Sequence, residues 1–236
     1  MGPTAWTCAR MNVEVDGGAV TSWLHDTIAD FDSAQSLAGR ARTRRWQTFA
    51  QRFPAISDMR VIDLGGTPQS WALAPVRPLA VTIVNLLPLD SDDPSVDVVQ
   101  ADACDLPAAV RNERFDLVFS NSLIEHVGGH PQRQRLADTI DVLAQRHWVQ
   151  TPYRYFPVEP HWVFPGMQWL PYAARVQISL RWNRGNVHTY TRQDAENAVD
   201  QVDLLSISQM RRYFPASSIW HERFAGLVKS IVAVRG

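Results

Sequence analysis

Glu159 and His161 stand on either side of Pro160 in the run Thr151-Pro152-Tyr153-Arg154-Tyr155-Phe156-Pro157-Val158-Glu159-Pro160-His161-Trp162. A proline biases the residue before it toward extended backbone, and residues two apart in an extended segment project to the same side. The two side chains then converge on one place, where the carboxylate can orient or charge the imidazole. A histidine titrates near neutrality, which suits a base that takes the proton of a hydroxyl. The same pair would serve equally as structure, in a salt bridge to Arg154 and a capped loop. His126, preceded by Glu125, is the second candidate base. A Glu-His pair needs at least a third ligand to hold a metal ion. No spacing identifies one, so no metal is expected.

Such groups need elements to hold them. Five short apolar runs each stop at small or polar residues. The first, residues 59–64, stops at Gly65-Gly66-Thr67-Pro68. Residues 79–84 stop at Asn85, residues 96–100 at Asp102, residues 115–119 at Ser120-Asn121 and residues 147–150 at Thr151-Pro152. Runs apolar on both faces suit strands of a parallel sheet. Pro131 in a first turn, with Leu136, Ile140 and Leu143 on one face, predicts a helix over about residues 131–146. Strands alternating with helical connections predict an α/β fold. Residues 22–53 also read as helical, with a bend at Gly39 and an end at Phe53-Pro54. Thr191-Arg192-Gln193-Asp194 looks like a reciprocally capped helix start. Residues 206–214 read as a short helix stopped by Pro215. Residues 218–224 and 227–234, around Ala225-Gly226, are too close for a parallel crossover and fit a hairpin.

Composition narrows the function classes. At 236 residues the chain suits one domain. The organisation expected is a helical segment over 1–57, a binding core over 58–151, a lid or insertion over 152–190, and helices with the hairpin over 191–236. A net charge of −1 disfavours nucleic acid as a partner. Two cysteines, Cys8 and Cys104, are too few for a disulfide framework. The first ten residues lack an apolar core of signal-peptide length. Residues 79–89, the most apolar stretch, are too short to span a bilayer. A cytoplasmic protein without a membrane partner is the expectation.

Three segments carry a family resemblance. Val61-Ile62-Asp63-Leu64-Gly65-Gly66-Thr67-Pro68 resembles the first motif of the class I S-adenosylmethionine-dependent methyltransferases. Ala101-Asp102-Ala103-Cys104-Asp105-Leu106-Pro107 resembles their adenine-binding motif. The run from Phe115 through Ser120-Asn121-Ser122-Leu123-Ile124-Glu125-His126-Val127 resembles their fourth-strand motif, in the form of the broad small-molecule (type 11-like) subfamily. The resemblance implies a doubly wound Rossmann-like sheet of seven strands, mostly parallel with an antiparallel C-terminal hairpin. It implies S-adenosylmethionine as cofactor, bound outside the carboxyl ends of the strands. Asp63, Gly65, Gly66, Thr67, Asn85, Asp102, Ala103 and Asn121 would hold it. Asp63 would sit near the methionine part, Asn85 at the ribose, and Asp102 with the amide of Ala103 at the adenine. Two departures stand out: Pro68-Gln69-Ser70-Trp71 replaces the third glycine, and Asn85 replaces an acid.

On that footing the expected function is methyl transfer to a hydroxyl of a small molecule. His161 would be the base, Glu159 its orienter, and His126 the second candidate. Phe156-Pro157-Val158-Glu159-Pro160-His161 resembles glycan-cluster methyltransferases and points toward a saccharide. Alternatives are a catalytically degenerate donor-binding scaffold, or an RNA or protein methyltransferase. Trp162, Phe164, Trp169, Tyr172 and Trp182 would form either a lid or a small subsidiary core. One of Arg40, Arg42, Arg44 and Arg45 could reach an acidic group, although such clusters are usually solvated faces.

Overall fold

The computed structural model describes residues 37–182, 185 and 187–236, with side chains from residue 42 onward. The helical pattern over 22–36 and the side chain of Arg40 lie outside the described residues. Helix α1 (Leu37–Arg52) runs through Gly39 without the expected bend. Glycine within a helix costs only about 1 kcal/mol. The strands β1 (Arg60–Leu64), β2 (Ala80–Asn85), β3 (Val96–Gln100), β4 (Leu117–Asn121) and β5 (His147–Pro152) follow in order. Helices α2 (Pro68–Ala72), α3 (Ala108–Arg111) and α4 (His130–Leu143) connect them.

Within one seven-stranded sheet the order is β3-β2-β1-β4-β5-β9-β8. The first five strands are parallel. β8 (Ser218–Phe224) and β9 (Leu227–Arg235) form the expected hairpin, and β9 pairs antiparallel with β5. Its turn is closed by Ala225 and Gly226, both at positive φ, the geometry a tight hairpin needs.

β4 starts two residues later than its apolar run suggests. The Asp116 carboxylate caps the amide of Arg60 while its own amide donates to the Arg60 carbonyl, and the amide of Phe115 bonds the Leu143 carbonyl, so regular pairing begins only at Leu117. At the other end Ser120 stays in the strand because its hydroxyl donates to the Leu64 carbonyl at 3.0 Å. β5 extends to Pro152 because β9 pairs with it along that length.

Both sheet faces are covered. On one, Leu136, Ala137, Ile140 and Leu143 of α4 pack with Met210 and Tyr213 of helix α7 (Ile207–Tyr213). On the other, Phe49 and Phe53 of α1 pack with Trp71, Phe119 and Trp148. Trp46 stacks on Phe119 with ring centroids 5.3 Å apart. Much of the aromatic content is this second face.

The segment after β5 folds on itself. β6 (Val158–Glu159) and β7 (Phe164–Pro165) make a short antiparallel ribbon. Helices α5 (Tyr172–Arg181) and α6 (Arg192–Asp200) follow. Trp162, Met167, Val176, Ala195 and Val199 form their common core. The subsidiary-core reading of Trp162 therefore holds, with Phe164 and Trp182 packed against it. Trp169 and Tyr172 are exposed. No helix among the described residues is long and apolar enough to cross a membrane.

A capping box at Thr191/Asp194 starts α6 as the sequence suggests, and a second at Ser206/Gln209 starts α7. Because α7 delivers Met210 and Tyr213 to the core, Ser206→Ala should cost about 0.5–2 kcal/mol in urea denaturation. An unchanged midpoint would mean that packing alone holds this helix.

Candidate functional site

Gly65 follows β1 at φ +83°, a conformation that glycine adopts without strain. A Cβ there would press on the Leu123 side chain, and a Cβ on Gly66 would overlap the Asp63 carboxylate. Gly66 is required because Asp63 lies directly beneath the turn, and Gly65 because of its positive φ and the Leu123 side chain. Asp63 is 1% exposed. Its Oδ2 accepts a hydrogen bond from Trp71 Nε1 at 2.8 Å, and Oδ1 has no partner among the described residues. Burial pushes its pKa up to about 7, against the lowering effect of the indole bond. Thr67 caps α2 through a capping box with Ser70, which sets Trp71 over the carboxylate. The stretch that replaces the third glycine thus supplies Asp63 with its donor.

Asn85 ties the same turn from the neighbouring strand. Its Nδ2 donates to the Gly66 carbonyl at 2.8 Å, and its Oδ1 accepts from the Leu87 amide at 3.0 Å. An aspartate could accept but could not donate, which accounts for the amide at this position. Backbone bonds join the tips further: Gly65 N to Val84 O at 2.8 Å, and Ala101 N to Asn85 O at 2.9 Å. Asp102 is exposed just beyond β3, with Oδ1 accepting from the Cys104 amide, and Ala103 beside it is buried. Asn121, ending β4, accepts from Trp148 Nε1 at 3.3 Å. Asp63, Gly65, Gly66, Thr67, Asn85, Asp102, Ala103 and Asn121 therefore line one rim, the carboxyl ends of β1 to β4. The inward turn of Asp63 differs from a carboxylate standing free in the cleft.

Beside this rim the structure joins Glu159, His161 and His126. Glu159 is 2% exposed. Its Oε1 contacts His161 Nδ1 at 2.6 Å, while Oε2 accepts from the amides of His161 at 2.8 Å and Trp162 at 2.9 Å. The pair converges as the extended backbone predicts, and Arg154 pairs with Asp203 instead. His161 Nε2 meets His126 Nε2 at 3.1 Å, and His126 Nδ1 meets the Gln201 carbonyl at 3.1 Å. Burial alone would lower the pKa of His161, but the charge and hydrogen bond of Glu159, with Glu125, raise it. Burial lowers that of His126.

Glu125 completes the cluster. It is 1% exposed; Oε2 accepts from Thr151 Oγ1 at 2.9 Å, and Oε1 has no partner among the described residues. One ligand atom each from Glu125, His126 and His161 lie within 4.8 Å of one another. The third ligand that spacing failed to identify is thus adjacent in space. Two further residues carry no local sequence signal. Gly185 is buried where a Cβ would overlap the backbone of His161 and Trp162. Thr151 is the last residue but one of β5 and sits under Glu125. Of the arginine cluster, Arg45 is bound to buried Glu222 at 2.8 Å and to Gln150 Oε1 at 3.3 Å, so it acts as an internal tie. A cavity of about 120 Å³ adjoins the cluster, lined by Arg154, Glu159, Trp162, Gln168, Arg175 and Asp203 among others.

Residues 81–146 match a family model described as a methyltransferase domain. No curated protein matches the chain in sequence. Among solved structures, the chain is similar to the N-methyltransferase NodS from Bradyrhizobium japonicum WM9 in complex with S-adenosylhomocysteine. The identity is 9%, coverage is 91% of this chain and 97% of that one, and the TM-score is 0.51. It is similar as well to magnesium protoporphyrin IX methyltransferase (ChlM) from Synechocystis PCC 6803 with bound S-adenosylhomocysteine. There the identity is 10%, coverage is 92% and 95%, and the TM-score is 0.51. Over residues 81–146 the chain thus carries a methyltransferase-domain match, and its fold is the one these methyltransferases share.

Asp63 holds a proton in the folded chain that an unfolded carboxyl releases near pH 4. The stability linked to that proton is full below about pH 4 and is lost as the pH rises to about 7. Asp63→Asn removes the dependence. The urea midpoint of the variant should therefore gain on the parent between about pH 5 and pH 8; an equal offset at both would show that Asp63 is not raised.

Proposed function

We propose that this methyltransferase methylates a hydroxyl of a small polar acceptor, a saccharide being the favoured class. The observation that carries the reading is the chain Glu159–His161–His126, set beside the rim that ends β1 to β4. The rim fits the methyl donor on its own evidence. The Gly65-Gly66 turn leaves no room for a Cβ, and the buried Oδ1 of Asp63 waits for a donor such as an ammonium group. Asp102 and Ala103 lie where the adenine would be read, and Asn121 borders the cleft. Asn85 is spoken for by Gly66 and Leu87, so a ribose contact has to share its amide. S-adenosylmethionine supplies an activated methyl group to a nucleophile in line with its sulfonium. What the chain must add is alignment and a place for the acceptor's proton.

The histidine pair supplies that place. Glu159 fixes His161 by Nδ1 and compensates a positive charge on the ring, leaving Nε2 to receive a proton. The proton is then shared with His126 Nε2, 3.1 Å away. The adjoining cavity sets Arg154, Gln168, Arg175 and Asp203 beside apolar Met167, Val199, Val202 and Leu204, a mixture that suits the hydroxyls and the apolar face of a sugar ring. A cytoplasmic setting and an acceptor other than nucleic acid complete the reading. An intact base assembly favours it over a degenerate scaffold.

His161→Ala should lower turnover by about 10²–10⁴-fold, measured as S-adenosylhomocysteine release on a panel of hydroxylated acceptors. Calorimetric affinity for S-adenosylmethionine should stay within a few-fold of the parent. Turnover close to the parent's would remove His161 as the base, and no heat with the parent would remove the donor site.

A further inference from the structure

The two facing imidazoles present a hydrogen-bonding conflict. Gln201 offers His126 a carbonyl, which only accepts, so Nδ1 of His126 carries the hydrogen. Glu159 offers His161 a carboxylate, so Nδ1 of His161 carries the hydrogen as well. Each neutral ring then points the lone pair of its Nε2 at the other, across 3.1 Å. Two lone pairs at that separation repel unless a positive centre lies between or beside them. A proton is one such centre. A metal ion is the other.

The geometry suits an ion. Ligand atoms about 2.1 Å from a shared centre lie roughly 3.0–3.4 Å apart at octahedral to tetrahedral angles, and the two Nε2 atoms are 3.1 Å apart. Glu125 brings a carboxylate to the same place, the ligand atoms of all three residues lying within 4.8 Å of one another. Its Oε1 is buried and has no donor among the described residues, a costly state for a carboxylate oxygen that a cation relieves. The surroundings are those of metal-binding histidines too: Nδ1 of one ring is held by a carboxylate and that of the other by a backbone carbonyl, which fixes both tautomers.

We infer that Glu125, His126 and His161 form a binding site for a divalent transition-metal cation, with Glu159 as the positioning carboxylate behind His161. Two imidazoles and one carboxylate favour zinc, cobalt, nickel or ferrous iron over magnesium or calcium, which take mainly oxygen ligands. The site does not depend on the methyl-transfer reading. It does constrain it, because an ion occupying both Nε2 atoms takes the lone pair on which His161 acts as a base.

The test is calorimetric titration of the full chain, free of methyl donor, with Zn²⁺, joined to visible absorption with Co²⁺. One Zn²⁺ per chain is expected, together with a Co²⁺ band that Zn²⁺ abolishes. Glu125→Gln and His126→Ala should each weaken Zn²⁺ at least about ten-fold with an unchanged circular-dichroism spectrum, and His130→Ala should not. Absence of Zn²⁺ uptake and of a Co²⁺ band in the parent, or undiminished affinity in His126→Ala, overturns the site and leaves methyl transfer standing. Methyl transfer accelerated by Zn²⁺ in the parent supports the site and removes His161 as the base.

Discussion

A carboxyl group buried at the end of β1 is the constraint around which the glycine turn and its neighbours are built. Asp63 pairs in register with β2 on one side and β4 on the other, so no route to solvent passes through the sheet. Everything near it serves to make the burial tolerable. Gly66 has no Cβ because the carboxylate occupies that volume. Trp71 gives up its indole hydrogen to Oδ2, and α2 exists as a five-residue helix with its own capping box to hold that indole in place. Asn85 fastens the same turn from β2 with a bond that an acid could not make. Both departures from the common methyltransferase pattern are thus parts of one local solution.

The loop after β5 is organised around a second buried carboxylate. Glu159 makes three contacts, two to backbone amides and one to His161. Pro160, which has no amide hydrogen, is the residue between them. The loop therefore wraps one carboxylate, and the imidazole direction follows from backbone geometry. Gly185 permits the insertion to close against this loop with no side chain between.

How much of this the sequence disclosed depended on range. The five strands were legible because burial on both faces leaves continuous apolar runs, and the hairpin because Ala225-Gly226 allows only a tight turn. Strand ends drifted by a residue or two at Phe115 and Pro152, since a hydropathy run does not register which amides enter a ladder. Glu159 and His161 were legible because they are two residues apart. Trp71 above Asp63, Thr151 beneath Glu125 and Gln201 at His126 were not, since each joins elements through space without a repeating pattern. The aromatic residues after β5 disclose a lid or a small core but not which, and helix α5 with the apolar partners Met167, Val176, Ala195 and Val199 appears only in the fold.

The rim of glycines and strand ends and the Glu159–His161–His126 cluster come from different parts of the chain, and a small set of bonds joins them. The loop after α6 is the fastener. Gln201 gives its carbonyl to His126, and the amide of Asp203 bonds the carbonyl of Glu125 at 3.0 Å. Arg133, 2% exposed on α4, grips Asp203 by its carbonyl at 2.7 Å and its carboxylate at 2.8 Å. Both bonds come from one terminal nitrogen of the guanidinium, whose Nε has no partner among the described residues, so this grip ties the loop and the arginine to each other. Leu123 packs on Gly65 only two residues before Glu125. A shift of the loop would therefore reach the histidine pair through Gln201 and the glycine turn through the segment from Leu123 to His126. The registration of the two clusters rests on these contacts more than on any single side chain within either.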